Sequence, residues 1–235
     1  MENFFVILGG MGTMATESFI HLLNERTPAH CDQEYLNYIV CNHATIPDRT
    51  AYILDNQKEN PLLPLKEDVQ SLSRMQPNFF VLTCNTAHYF HDALQKETSI
   101  PIIHMPKLAA NRIRKMSDQR PFKVMILATM GTIQSQVYEE EFASDHNIEV
   151  MIPNEALQNE VMALIYHDVK ERQYINETRY HQILKTAAEQ YHCDAMILGC
   201  TELSLMEEKC PNHNYCVVDA QAELVDEVLR LTKKN

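Results

Sequence analysis

The sequence predicts an α/β protein of two pseudo-symmetric domains, each a mostly parallel four-stranded sheet flanked by helices. Three observations predict it. Short apolar runs alternate with helical patterns along the chain, the signature of βαβ units and parallel sheets. Segments of the first half recur in the second at offsets of about 119 and 116 positions. All five glycines (Gly9, Gly10, Gly12, Gly131 and Gly199) fall in the repeated strand-to-helix turns, where positive φ or close backbone approach is needed.

The elements follow in order. Strands are expected at residues 3–8, 36–41, 79–83 and 101–104, then at 123–128, 148–152, 195–198 and 215–218. One helical face joins Phe19, Ile20, Leu22 and Leu23. Another, in a helix over 157–170, joins Leu157, Val161, Leu164 and Ile165, and a third, at the C-terminus, joins Leu224, Val225, Val228 and Leu229. Segment 107–121 joins the halves and carries no motif. By symmetry the closing helix returns to the first half, so the expected domains are 1–110 plus 220–235, and 111–219.

Bulk properties exclude several functions. A formal net charge of -12 argues against nucleic acid, whose phosphates need a basic surface. If the ligand is an anion, local cations must overcome that field. No apolar stretch approaches the roughly 18 residues of a membrane span. Met1-Glu2-Asn3 opens without a basic segment ahead of a long apolar one, so a cytoplasmic protein is expected. Seven scattered cysteines without zinc spacing fit reduced thiols and no metal.

The repeats carry the chemistry. Phe79-Phe80-Val81-Leu82-Thr83 runs into Cys84-Asn85-Thr86-Ala87, and Ala195-Met196-Ile197-Leu198-Gly199 runs into Cys200-Thr201-Glu202-Leu203. Each reads as a buried strand, a cysteine and a helix start, at the sheet edge where parallel α/β proteins bind ligands. A helix N-terminus lowers a thiol pKa, so Cys84 and Cys200 read as reactive. Two thiols facing one substrate suit removal of a proton from one face of a carbon and its return to the other. The remaining five cysteines read as small buried hydrophobes. Asn85, Thr86 and Thr201 suit helix capping, carboxylate binding, or both. Arg49 follows the second strand, and its planar fork matches a carboxylate, although a lone Arg there is commonly surface decoration. Lys170 ends its helix, where a cation is favourable by dipole alone. His88 and His91, spaced i, i+3, lack a third metal ligand and read as packed or solvated. Gly10-x-Gly12-x-x-Ala15 loosely matches a dinucleotide fingerprint, but no acidic residue ends the second strand to hold a ribose.

Taken together, Gly9-Gly10-Met11-Gly12, Ile46-Pro47-Asp48-Arg49-Thr50, Cys84-Asn85-Thr86-Ala87-His88, Ala128-Thr129-Met130-Gly131-Thr132 and Leu198-Gly199-Cys200-Thr201-Glu202 resemble the aspartate racemase branch of the aspartate/glutamate/hydantoin racemase superfamily. The resemblance spans nearly the whole chain. It implies a cofactor-independent racemase of two α/β domains with the active site in the cleft between them, commonly a homodimer, acting on an amino acid with aspartate foremost. It implies Cys84 and Cys200 as acid/base residues on the two faces of Cα, with Arg49 and Lys170 on the side-chain carboxylate. Donors to the carbanion are expected at Met11, Gly12, Thr13, Asn85, Thr86, Thr129, Thr132, Thr201 and Glu202. Thr13 departs from the family's usual Pro after Gly-Gly-Met-Gly, which touches specificity more than chemistry. Glutamate or a broader set of amino acids is the second substrate class. A single-cysteine decarboxylase, a maleate-type isomerase, an idle amino-acid binding module and a redox sensor are the competing functions.

Overall fold

The computed structural model describes residues 1–233. The chain forms two compact units: Met1–Met105 joined by the C-terminal helix from Gln221 onward, and Pro106–Ala220.

The first unit is built on β1 (Phe4–Gly9), β2 (Asn37–Asn42), β3 (Phe80–Leu82) and β4 (Ile102–Ile103). All pairings are parallel, in the order β2-β1-β3-β4. Each residue of β1 is buried, as expected of a central parallel strand covered on both faces. Helix α1 (Thr13–Arg26) follows β1 and buries Phe19 and Leu23, spaced i, i+4. Two helices, α2 (Arg49–Leu54) and α3 (Leu62–Ser73), lie between β2 and β3. A 3-10 turn (Thr86–Phe90) and α4 (His91–Gln95) follow β3. One core cluster joins Val6, Leu8, Phe80 and Leu82 to Leu65 and Val69 of α3 and Leu94 of α4. Each such side chain contributes about 1.5–3 kcal/mol on burial. Phe5 stacks on Phe79, centroids 5.0 Å apart.

After β4 the chain continues through α5 (Met105–Ser117), so the motif-free connection between the halves is largely helical. The second unit repeats the order as β6-β5-β7-β8, again all parallel, with β5 (Phe122–Ala128), β6 (Ile148–Met151), β7 (Ala195–Gly199) and β8 (Val217–Asp219). Each expected strand is present within two residues of its expected ends. Around this sheet lie α6 (Met130–Ser135), α7 (Glu155–Met162), α8 (Glu177–Glu189) and α9 (Thr201–Lys209), and the chain closes with α10 (Ala220–Thr232). Met125, Leu127, Met196 and Leu198 pack with Val161, Leu164, Ile165, Tyr180, Ile183 and Leu184. No helix among the described residues is long and apolar enough to cross a membrane.

Two expectations need correction. The helix expected over 157–170 is α-helical only to Met162 and continues as a π-helix, Ala163–Glu171. Periodicity cannot separate the two, since the apolar residues stay on one side as the turn widens. Of the five cysteines read as small buried hydrophobes, only Cys210 is buried; Cys31 and Cys216 are exposed, Cys41 and Cys193 intermediate.

Gly10 and Gly199 show different reasons for glycine. Gly10 has φ +89°, and a Cβ there would lie 2.5 Å from the His43 carbonyl carbon. Gly199 has ordinary φ but faces the Ala128 Cβ at 3.0 Å and the Tyr138 ring at 3.1 Å. Gly10→Ala should destabilise the protein by ~1–3 kcal/mol, and more than Gly199→Ala, whose neighbours are mainly side chains that can yield. Urea unfolding of both variants checks the order; equal midpoints would reject it.

Candidate active site

The strand order locates the site in each unit. β1 lies beside β3, yet β2 and β4 lie on opposite sides of that pair, so the loops leaving β1 and β3 diverge at their carboxyl ends. In the first unit these loops hold Gly10–Thr13 and Cys84–Thr86. In the second, β5 and β7 occupy the same places, and their loops hold Thr129–Thr132 and Cys200–Glu202.

In the first unit the turns are tied by side chains that carry no motif. Thr16 Oγ1 accepts from the Gly10 N–H (3.1 Å) and donates to the Gly12 carbonyl (2.9 Å). It also lies 3.1 Å from Thr83 Oγ1, at the residue before Cys84. The glycine turn and the cysteine turn are thereby held together. Arg49 is buried, so it is no surface decoration. Its Nη1 donates to the Ile46 and Pro47 carbonyls (3.2 and 2.9 Å) and its Nη2 to the Met11 carbonyl (2.9 Å). These bonds make Arg49 a fastener between the loops after β1 and β2. Thr13 is the first residue of α1, the position that most readily accepts Pro, so the departure from the family pattern leaves the helix start in place.

Cys84 is not followed by an α-helix; the 3-10 turn intervenes, and Asn85 makes no side-chain cap. His88 is buried there with both ring nitrogens engaged. Nδ1 lies 2.8 Å from the Cys84 carbonyl, and Nε2 accepts from the Met105 N–H at 3.1 Å. A carbonyl only accepts and an N–H only donates, so the ring is the neutral Nδ1–H tautomer. Burial pushes its pKa down to about 4, opposed by the bond to Cys84 and reinforced by His91. His104 completes the group, its ring 5.2 Å from His88 and 4.4 Å from His91.

The second unit differs in its electrostatics. Cys200 lies directly before α9 and is buried. Its Sγ donates to Glu202 Oε2 at 2.9 Å, while Glu202 Oε1 lies 3.6 Å from Lys170 Nζ. Lys170 also sits 4.6 Å above the Tyr166 ring. Burial raises the Cys200 pKa well above the ordinary thiol value, and the Glu202 carboxylate raises it further. Lys170 and the Glu202 N–H act in the other direction. The lowered thiol pKa expected from the helix start is thus overturned at Cys200. The backbone effect exists, but desolvation and a neighbouring anion outweigh it.

Lys170 is carried by the last turn of the π-helix, a geometry often found at functional sites. Asp168, two residues earlier, anchors that turn through Asn176 (2.8 Å) and Arg179. Burial alone would raise the Asp168 pKa, yet the bonds from Asn176, His167 and Arg179 bring it below the usual value. Thr129 caps α6, accepting from the Thr132 N–H at 3.2 Å, and the two hydroxyls lie 3.1 Å apart. Gln158 donates to the Ala128 carbonyl at 2.9 Å.

The structure therefore gathers Met11, Gly12, Thr13, Arg49, Cys84, Asn85 and Thr86 at one sheet edge of the first unit. It gathers Thr129, Thr132, Lys170, Cys200, Thr201 and Glu202 in the second. Cys200 forms no side-chain cap; the Thr201 hydroxyl lies 3.5 Å from Glu202. The Glu202 carboxylate accepts from Cys200 and pairs with Lys170. Thr16, Tyr166 and Gln158 carried no signal in the sequence, and Thr83 and His88 carried one only through their places beside Cys84. No group of three or more His, Cys, Asp or Glu among the described residues is arranged to hold a metal ion.

A twinned parallel α/β protein with a thiol at each strand-order switch point is the class these units define. Residues 8–228 match the family described as Asp/Glu/Hydantoin racemase, and the chain belongs to that family. It is 26% identical over 208 residues to the broad specificity amino-acid racemase RacX of Bacillus subtilis (strain 168), covering 84% of this chain and 85% of that protein. It is 25% identical over 198 residues to a glutamate racemase of Pediococcus pentosaceus, covering 80% and 67%. The Picrophilus torridus aspartate racemase structure matches with TM-score 0.81 and 28% identity, over 98% of this chain and 94% of that one.

Cys200 and His88 each offer a titration that checks these electrostatics. Glu202→Gln should lower the Cys200 pKa and Lys170→Met should raise it, read as opposite shifts in the pH dependence of Cys200 alkylation by iodoacetamide; unshifted profiles would remove both groups from its surroundings. His88, with a folded pKa of about 4 against about 6.5 unfolded, binds fewer protons folded than unfolded between those values. Stability should therefore be complete above pH 6.5 and fall by up to ~3 kcal/mol as pH drops through 4. Urea unfolding across that range should show a slope that shrinks in His88→Asn.

Proposed function

We propose that this chain is a cofactor-independent amino-acid racemase that interconverts L- and D-aspartate, with Cys84 and Cys200 as its two acid/base groups. One observation supports the reading above the others: the same topological position in both units carries a cysteine. A two-base reaction needs two such groups, one for each face of Cα.

The Cα proton of an amino acid is very weakly acidic, because its removal leaves charge on carbon. In the proposed step, Cys84 as thiolate takes the Cα proton while the electron pair stays on Cα. The Cys200 thiol, held at Glu202, then delivers its proton to the opposite face and becomes a thiolate beside Lys170. The product is the other enantiomer, and the reverse reaction exchanges the roles. Donors in the turns at Met11–Thr13, Asn85–Thr86, Thr129, Thr132 and Thr201 would stabilise the carbanion. Such a donor is worth about 2.7–4 kcal/mol, and a positioned acid or base about 10²–10⁴-fold. The cytoplasmic location and the homodimer implied by the resemblance stand with this proposal.

A broader substrate range, glutamate included, is the second reading. It is favoured by Arg49 and Lys170, since the former holds three backbone carbonyls and the latter pairs with Glu202. Neither is simply a receptor for a side-chain carboxylate.

The test is incubation with L-aspartate in D₂O without pyridoxal phosphate, following optical rotation and Cα deuterium together. Rotation should decay as deuterium enters the product, and Cys84→Ala and Cys200→Ala should each stop racemisation. Full activity in either variant would refute the two-base scheme. Turnover of other amino acids but not aspartate would favour the second reading. Binding without exchange for any amino acid would mark an idle binding module.

A further inference from the structure

The buried ring of His88 has no part in the proton transfers above, yet it touches the cysteine turn directly. Its Nδ1–H points at the Cys84 carbonyl, and its Nε2 receives the Met105 N–H, the last amide of the first unit before the chain passes to the second. The His88 N–H in turn bonds the Asn85 carbonyl at 3.0 Å. The ring is thus a strut between the cysteine turn and the start of α5.

A trans peptide carries its C=O and N–H in opposite directions in one plane. With the Cys84 carbonyl drawn to the buried imidazole, the Asn85 N–H is turned the other way. A hydrogen bond to the carbonyl also polarises the peptide and strengthens that N–H as a donor. We propose that His88 is a positioning residue: it fixes the Cys84–Asn85 peptide plane, and thereby aims the Asn85 N–H at the substrate and sets the direction of the Cys84 side chain. This role rests on the reading of Cys84 as an acid/base group. The low basicity of the ring, imposed by burial and by the neighbouring His91, keeps the strut intact across neutral pH.

The test separates the two ring nitrogens. Asn places its amide N–H where Nδ1–H stands, and Gln places its amide where Nε2 stands. His88→Gln loses the bond to Cys84 and should lower kcat on the order of 10-fold or more, with a smaller effect on KM. His88→Asn should recover most of that rate although it loses the bond to Met105. Equal kcat in the two variants would overturn the proposal and leave His88 a packing residue. Amide hydrogen exchange gives a readout independent of turnover. The Asn85 amide should exchange faster in His88→Gln than in His88→Asn at matched global stability, and equal rates would overturn the proposal. If the unmodified protein racemises nothing, the functional reading fails, while the exchange comparison still decides the role of His88.

Discussion

Parallel pairing of two central strands, with their outer neighbours on opposite sides, is the constraint on which the rest depends. β1 and β3 are buried on both faces and cannot shift register without exposing a continuous apolar strand. Their ladder carries Leu8 against Leu82, so both strands end at the same level and their loops open side by side. β5 and β7 do the same, ending with Ala128 against Gly199. Each sheet therefore delivers a glycine- or threonine-rich turn and a cysteine to one edge. Close approach at that edge favours a small residue: Tyr138 and Ala128 crowd any side chain at position 199, directly before Cys200.

On this shared frame the two halves have taken different local physics. The Cys84 turn is braced by neutral hydrogen bonds, from Thr16 and Thr83 on one side and His88 on the other. The Cys200 turn is governed by charge, with a carboxylate accepting from the thiol and an ammonium on the carboxylate's other oxygen. A buried thiol against a buried carboxylate favours the protonated form, and a cation nearby limits the penalty for leaving it.

Much of the fold was legible because parallel strands write themselves as continuous apolar runs and because duplication supplies each element twice. Phe80–Leu82 and Ala195–Gly199 are read as easily from their apolar character as from their coordinates. The site was legible in part. Cys84 and Cys200 stand out through their matched placement, and the turns around Gly10 and Thr129 through repetition. The braces were not legible, because Thr16 and Gln158 act across the fold on atoms far from them in sequence. Arg49 was seen as a cation, but its three carbonyl partners exist only once two loops meet.

By itself the sequence determined the succession of βαβ units, the two cysteine turns and the family they belong to, since these rest on local pattern and repetition. Tertiary structure alone decided the surroundings of each turn. Burial, a neighbouring Glu202 and a π-helical turn carrying Lys170 set the Cys200 thiol, and the imidazole of His88 sets the peptide beside Cys84. The reason is physical: a helix start makes a local contribution to a thiol pKa, whereas desolvation and the field of distant side chains depend on what folding brings together.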